Sequence, residues 1–249
     1  MQRLVITPSQ LQNGEINLST PQLHYLKRVL RLQSGDSFIA LDGQGQAWIA
    51  KLASTGATII ESMSSSHREL AINVTLIVAL PKGNGFEEIV RCCTELGVNS
   101  IIPIKSDRTL LKPSSHKLER WRRIANEAAE QSERQLVPTI SPPIPFNSLI
   151  CQYSSLNGDT QQRYICVARD NVHHLLTYLP SQTSKTEQTH NFPSIVIATG
   201  PEGGWTPEEI QQSSLAGFQP VSLGNRIFRA VTAPIIALSL VAATWESCC

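Results

Sequence analysis

Three glycines fall within five residues in the stretch IATGPEGGWTPEEI, although the chain of 249 residues contains only 14. Glycine permits backbone conformations closed to other residues and lets a ligand approach the main chain, while Pro201 stiffens the same turn. The loop is therefore shaped to receive something. A second stretch, SLGNRIFR, follows the next apolar run and carries Arg226 and Arg229. Both stretches stand after strand-like runs, where an open parallel sheet holds its ligands. The helix after the first loop opens with Thr206, Pro207 and Glu209, a capping box with proline at the first helical position. Its side chains satisfy part of the helix N-terminus, which weakens an anion-binding reading of that end. In PKGNGFEE, Glu88 stands where a dinucleotide fingerprint needs its third glycine, and the phosphate-loop pattern is absent. The alternative to a ligand site is a glycine-rich turn with no partner.

The elements that must position these loops form two groups. From Met1 to about Leu70, short apolar runs alternate with turn signals, and DGQGQ between two alternating segments reads as a hairpin. A small barrel or sandwich follows. One helix interrupts it: STPQLHYLKRVLRL has Thr20 as cap and Pro21 at the first helical position, with Leu23, Leu26 and Leu30 as its apolar stripe. After Leu70, VTLIVAL, VNSIIPI, YICVAR, SIVIATG and PVSLG alternate with the helical GFEEIVRCCTELG, KLERWRRIANEAAEQSERQL, NVHHLLTYL, TPEEIQQSSLAG and TAPIIALSLVAATW. Apolar strands alternating with helices predict an α/β domain with a parallel sheet covered on both faces. The polar PSQTSKTEQTHNFPS reads as a loop or insert. The domains are expected at 1–70 and 71–249.

Hydrophobic content of 41% and charged content of 16% predict a packed globular protein. The net charge of +1 gives no bulk argument for nucleic-acid or membrane binding, so any RNA footprint must be local. Six cysteines, Cys92, Cys93, Cys151, Cys166, Cys248 and Cys249, show no C-x-x-C spacing, and the six histidines show no metal-binding pattern. No metal is expected. MQRLVITPSQ does not read as a signal peptide and no apolar run approaches a membrane span, so a cytoplasmic location is expected.

GPEGGW followed by SLGNRIFR, with KGNGFEEIVRCCTELGV and RWRRIANEAAEQSERQLVP upstream, resembles the knotted (SPOUT-type) methyltransferases. More closely it resembles the RsmE-type family, which methylates N3 of a uridine in 16S ribosomal RNA of the small subunit. The resemblance extends to HYLKRVLR in the first domain. It implies a PUA-like N-terminal β-barrel, a C-terminal α/β trefoil-knot domain, S-adenosylmethionine as methyl donor and a homodimer. Thr199, Gly200, Pro201, Glu202, Gly203 and Gly204 would form the first cofactor loop, and Leu223, Gly224 and Ile227 the second. The dimer would use the C-terminal helix around Ile235 and Leu238.

Transfer from a sulfonium needs mainly a nucleophile held at the right distance and angle, plus loss of its proton. A cation that stabilises negative charge on the carbonyls flanking N3 would help. Arg229 and Arg226 are candidates for that role or for clamping phosphate; the alternative for each is a surface arginine or a salt bridge to Glu202 or Glu208. Glu202 would orient a ligand or accept a proton, or else cap its own loop. RNA contacts are expected from Arg3, His24, Arg28 and Arg31, with Lys27 on the same helix, and from Lys82, Arg108 and Arg134 in the second domain; the alternative is a solvated helix face. Trp121 and Phe86 are expected in the core.

Two departures from the family pattern stand out. Asn84 and Gly85 replace an acidic and a basic residue, and Ala230 and Val231 replace a polar and an acidic one beside the expected site. A silent RNA-binding or assembly factor, or a methyltransferase of the same fold with another RNA target, therefore remain alternatives.

Overall fold

The DGQGQ hairpin folds as expected in the computed structural model, which describes residues 1–64, 68–109, 115–155, 161–168, 171–179 and 194–246. Asp42 Oδ1 accepts the N–H groups of Gln44 (2.7 Å) and Gln46 (2.9 Å), and so holds the turn. The polar insert after Leu179, apart from Ser194, lies outside the described residues, as do Cys248 and Cys249. The chain divides into two units, Met1–Glu69 with Asn126–Val137 and Leu70–Ala125 with Pro138–Cys249.

The first unit contains β1 (Arg3–Val5), β2 (Leu11–Gln12), β3 (Glu15–Ile16), α1 (Thr20–His24), β4 (Ser37–Leu41), β5 (Ala47–Leu52) and β6 (Ala57–Met63). The strands form one sheet in the order β1-β4-β5-β6-β3-β2, antiparallel except for β1 with β4. Because β1 and β2 end the order unpaired with each other, the sheet is a curled half-barrel rather than a closed barrel. Its core includes Leu4, Ile6, Ile16, Leu26, Phe38 and Leu52. Ser19, not Thr20, caps α1: its Oγ accepts the Gln22 N–H while Gln22 Oε1 accepts the Ser19 N–H at 2.9 Å. Such a box is worth ~1 kcal/mol and shifts the start by one residue from the sequence expectation. Of the expected stripe, Leu26 is fully buried and Leu23 and Leu30 pack partly against the same core.

Residues Asn126–Val137 belong to this first unit, although the sequence boundary at 70 assigns them to the second. The reason is polar. Glu130 Oε1 accepts the Val5 N–H at 2.7 Å, Glu133 pairs with Arg3, and Glu69 receives Arg134 and the N–H groups of Gln135 and Leu136. Periodicity carries no trace of such partners.

The second unit contains β7 (Asn73–Ala79), α2 (Gly85–Glu95), β8 (Ser100–Lys105), the first part of α3 (Ser115–Gln131), β9 (Thr139–Ile140), β10 (Ile144–Pro145), α4 (Phe146–Ser154), β11 (Gln162–Cys166), β12 (Ser194–Thr199), α5 (Pro207–Leu215), β13 (Gln219–Val221) and α6 (Thr232–Glu246). Its seven strands are all parallel, in the order β10-β8-β7-β12-β11-β13 with β9 on β8. Ile77, Ala79, Val196 and Ala198 share one core with α4 residues Phe146, Leu149, Ile150 and Tyr153. α6 packs against α2, β7 and β12, burying Ala237, Leu238 and Val241. Burial on both faces is what the continuous apolar strands require. Phe86 and Trp121 are buried as well, with ring centroids 4.3 Å apart and each 1% exposed.

Besides the short added strands β9 and β10, two helical segments differ from expectation. NVHHLLTYL forms only the short turn Leu175–Thr177, because its backbone pairs outward: His173 O accepts the Ser222 N–H and Ser222 O accepts the Leu175 N–H, both at 2.9 Å. α4 was not anticipated, although Phe146, Leu149, Ile150 and Tyr153 have helical spacing and are buried. Among the described residues no helix is long and apolar enough to cross a membrane.

Candidate functional site

Because all strands of the second unit run the same way, their carboxyl ends share one edge, and four of them line one cleft there. β8 leads to Arg108, β11 to Val167 and Ala168, β12 to Gly200–Trp205, and β13 to Leu223–Arg229. The cleft has a volume of ≈ 760 Å³ and also reaches Ile210, Ala230, Val231 and Ala233.

The first loop is held from every side. Gly204 N–H donates to Pro201 O at 2.9 Å, and Gly204 has φ +70°, a left-handed conformation that glycine adopts without steric cost. Trp205 folds back into the core, its Nε1–H on Cys166 O at 3.0 Å and its ring stacked on Phe146 with centroids 4.7 Å apart. Gly200 lies against that indole: a Cβ there would stand 3.1 Å from Trp205 Cε2. Arg108 Nη1 donates to Gly203 O at 2.7 Å and to Trp205 O at 3.3 Å. Glu202 Oε1 accepts the Lys82 N–H at 2.9 Å, tying the loop to the end of β7. The capping box of α5 forms as expected, and buried Glu209 also accepts the Asp107 N–H at 3.0 Å.

The second loop turns on Gly224, at φ +125°, whose N–H donates to Ser222 Oγ at 3.0 Å. It ends where Arg229 O accepts the N–H groups of Thr232 (2.9 Å) and Ala233 (3.0 Å), opening α6. Arg226, Ile227 and Arg229 are exposed along the cleft, and among the described residues neither arginine pairs with Glu202 or Glu208. Burial pushes the Cys166 thiol up to about 12, so this cleft-lining sulfur is a neutral wall at physiological pH.

Gly200, Pro201, Glu202, Gly203, Gly204, Leu223, Gly224, Arg226, Ile227 and Arg229 are thus brought together, and Arg108 joins them as a loop clamp. Thr199 is not among the lining residues: it ends β12 fully buried, and its Oγ1 has no hydrogen-bond partner among the described residues. Sequence reasoning passed over Trp205, Asn225 and Phe228, which also line the cleft. Trp205 directly follows the glycines, and that adjacency was the available signal.

In the first unit, His24, Arg28 and Arg31 are exposed. The chain there widens into a π-helical turn over Tyr25–Val29, with Leu30 N–H on Tyr25 O at 2.9 Å, and Arg31 then takes φ +59°. Lys27 Nζ donates to Ser54 O at 2.6 Å. Two of the arginines expected at RNA are engaged by carboxylates of the first unit. Arg134 is 1% exposed and held by Glu69 through Nε (2.9 Å) and Nη2 (2.8 Å). Arg3 is paired with Glu133 at 2.8 Å, leaving its side chain 17% exposed. The carboxylates that hold them lie outside α3: Glu133 just after it and Glu69 ahead of β7. Lys82 is exposed in the second unit.

A parallel sheet with a cleft of two glycine loops at its carboxyl edge is here the architecture of an RNA methyltransferase domain, as the comparisons with known proteins show. The family described as RNA methyltransferase domain matches residues 68–242, and the RNA methyltransferase PUA domain matches residues 18–61. The chain is 50% identical to the ribosomal RNA small subunit methyltransferase E of Synechocystis, over 98% of this chain and 78% of that one. It is 29% identical to the Bacillus subtilis protein of the same name, over 97% and 96%. A crystal structure of ribosomal RNA small subunit methyltransferase E from Neisseria gonorrhoeae, bound to S-adenosyl methionine, superimposes with a TM-score of 0.82 at 28% identity, covering 98% of each chain. The chain belongs to the ribosomal RNA small subunit methyltransferase E family.

Proposed function

We propose that the protein is an S-adenosylmethionine-dependent methyltransferase that modifies N3 of a uridine in 16S ribosomal RNA. The observation that carries this reading is that both glycine loops line one cleft together with Arg226 and Arg229. Its ≈ 760 Å³ suits an adenosyl-sized ligand, and the left-handed turns at Gly204 and Gly224, with no atom within 4 Å of a Cβ position, leave the backbone approachable. The loops 200–204 and 223–227 would hold the cofactor, which when bound supplies a methyl group already activated by its sulfonium.

The remaining chemistry belongs to the chain. Paired with no carboxylate among the described residues, Arg229 and Arg226 are available to stabilise the negative charge that develops on the uracil oxygens as N3 loses its proton, or to hold a flanking phosphate. Trp205 and Ile227 give the cleft an apolar lining that limits water. Glu202 holds the loop through Lys82. RNA would be gripped by His24, Arg28 and Arg31 of the first unit and Lys82 of the second. We assign a cytoplasmic location and a homodimer to this enzyme. Leu238 is fully buried within the chain, so a dimer through α6 would use its half-buried Ile235, Ile236 and Leu240 instead.

The test is transfer of labelled methyl from S-adenosylmethionine to small ribosomal subunits lacking the modification, with nucleoside digestion and mass spectrometry. 3-Methyluridine is expected; another methylated nucleoside, or RNA binding without transfer, overturns the reading. Sedimentation at micromolar concentration checks the dimer.

A further inference from the structure

Gly85 and Val231 are 146 positions apart in sequence, yet an ideal Cβ on Gly85 would stand 2.6 Å from Val231 Cγ2 and 3.4 Å from Pro81 Cγ. Gly85 is not in the left-handed region, so glycine is needed here for space and not for backbone freedom. A Cβ never sits at 2.6 Å from another carbon. Valine is β-branched and stiff about χ1, so its methyl cannot swing aside cheaply. The two departures from the family pattern, at 84–85 and at 230–231, thus lie against each other.

The contact has a definite place in the site. Gly85 opens α2, directly after the turn whose Lys82 N–H holds Glu202 and so the first glycine loop. Val231 lines the cleft, two residues after Arg229 and inside the turn that Arg229 O closes onto Thr232 N–H at 2.9 Å. A side chain at 85 would push Val231, and the same turn would carry Arg229 with it. We propose that Val231 seated against Gly85 is a positioning contact for the reaction: it fixes the start of α6, and thereby Arg229, relative to the loop that Glu202 anchors. Residue 231 acts here by packing and takes no part in moving a proton. The inference rests on the methyltransferase reading above.

Gly85→Ala, Val231→Ala and the double variant are compared with the unaltered chain by circular dichroism, by calorimetric titration with S-adenosylmethionine and by steady-state methyl transfer. With Gly85→Ala folded, kcat falls roughly tenfold or more because the reacting groups are displaced, and Val231→Ala in that background restores it to within about threefold of Val231→Ala alone. If Gly85→Ala does not fold, recovery of both fold and transfer in the double variant supports the contact in the same way. Val231→Thr, of nearly the same shape, keeps the pH profile of kcat unchanged. The proposal is overturned if Gly85→Ala transfers methyl like the unaltered chain, if the two effects simply multiply, or if Val231→Thr displaces the pH profile. Absence of S-adenosylmethionine binding by the unaltered chain would instead overturn the methyltransferase reading itself.

Discussion

The backbone N–H of Lys82 donates to Glu202 Oε1 at 2.9 Å, across 120 residues of sequence. This bond makes the carboxylate in the glycine loop an anchor for that loop. Glutamine at 202 keeps an Oε1 that can accept the same N–H, whereas alanine removes it. Since a hydrogen bond of this kind is worth ~1 kcal/mol net, Glu202→Ala should weaken S-adenosylmethionine binding about fivefold, and Glu202→Gln by less than about twofold. Calorimetric titration distinguishes the two, and equal losses would point to a role for the charge itself.

Arg108 grips the same loop through the carbonyls of Gly203 and Trp205. Hydrogen bonds from a charged donor contribute ~1.5–3 kcal/mol, so Arg108→Ala should raise the cofactor Kd roughly tenfold or more. Its effect on RNA should be small. The slope of log RNA affinity against log salt should stay as it is, because that slope counts the phosphates neutralised and an arginine turned onto the loop's carbonyls contacts none. A shallower slope would return Arg108 to the RNA contacts.

Glu130 gives the first unit a pH dependence. Burial raises its pKa from 4.5 to about 7, against a smaller lowering by the Val5 N–H, with Glu127 nearby raising it further. Between these values the folded chain holds a proton that the unfolded chain has released, so stability from this group falls as pH rises from 4.5 through 7 and then levels off. Glu130→Gln retains an acceptor for Val5 and cannot ionise. Urea unfolding should find it more stable than the unaltered chain at pH 8, by about 3 kcal/mol at most, and no more stable at pH 4.5.

The buried Arg134 depends on Glu69, whose Oε1 also takes the N–H groups of Gln135 and Leu136 at 3.0 Å each. Glu69→Ala takes the carboxylate away from a guanidinium that is 1% exposed, which should cost about 3–5 kcal/mol in denaturant unfolding. RNA affinity per folded molecule should change little. A selective loss of RNA binding with unaltered stability would contradict the structural role assigned to Arg134.

The elements that proved most readable are those whose signal is local. The glycine spacing at 200–204 and 224, the Thr206–Glu209 cap, the Asp42–Gln46 hairpin and the apolar strands β7, β8 and β12 each depend on neighbours within a few residues. The helix expected at NVHHLLTYL failed because Ser222, some fifty residues downstream, competes for its backbone. The carboxylate partners of Arg3 and Arg134 were equally hidden, since a basic residue shows its charge in the sequence and not its counter-ion.

By itself, then, the sequence determined the two-part organisation, the parallel α/β class and the two loops that meet in the cleft, because propensity, capping and turn chemistry act over short stretches of chain. Only the tertiary structure decided that β12 lies between β7 and β11, that Asn126–Val137 belongs with the first unit, that Glu202 holds Lys82 and that Val231 fills the space beside Gly85. Those relations join positions tens to more than a hundred residues apart through contacts a few ångströms long, and strand order and side-chain partners are fixed only when the whole core packs.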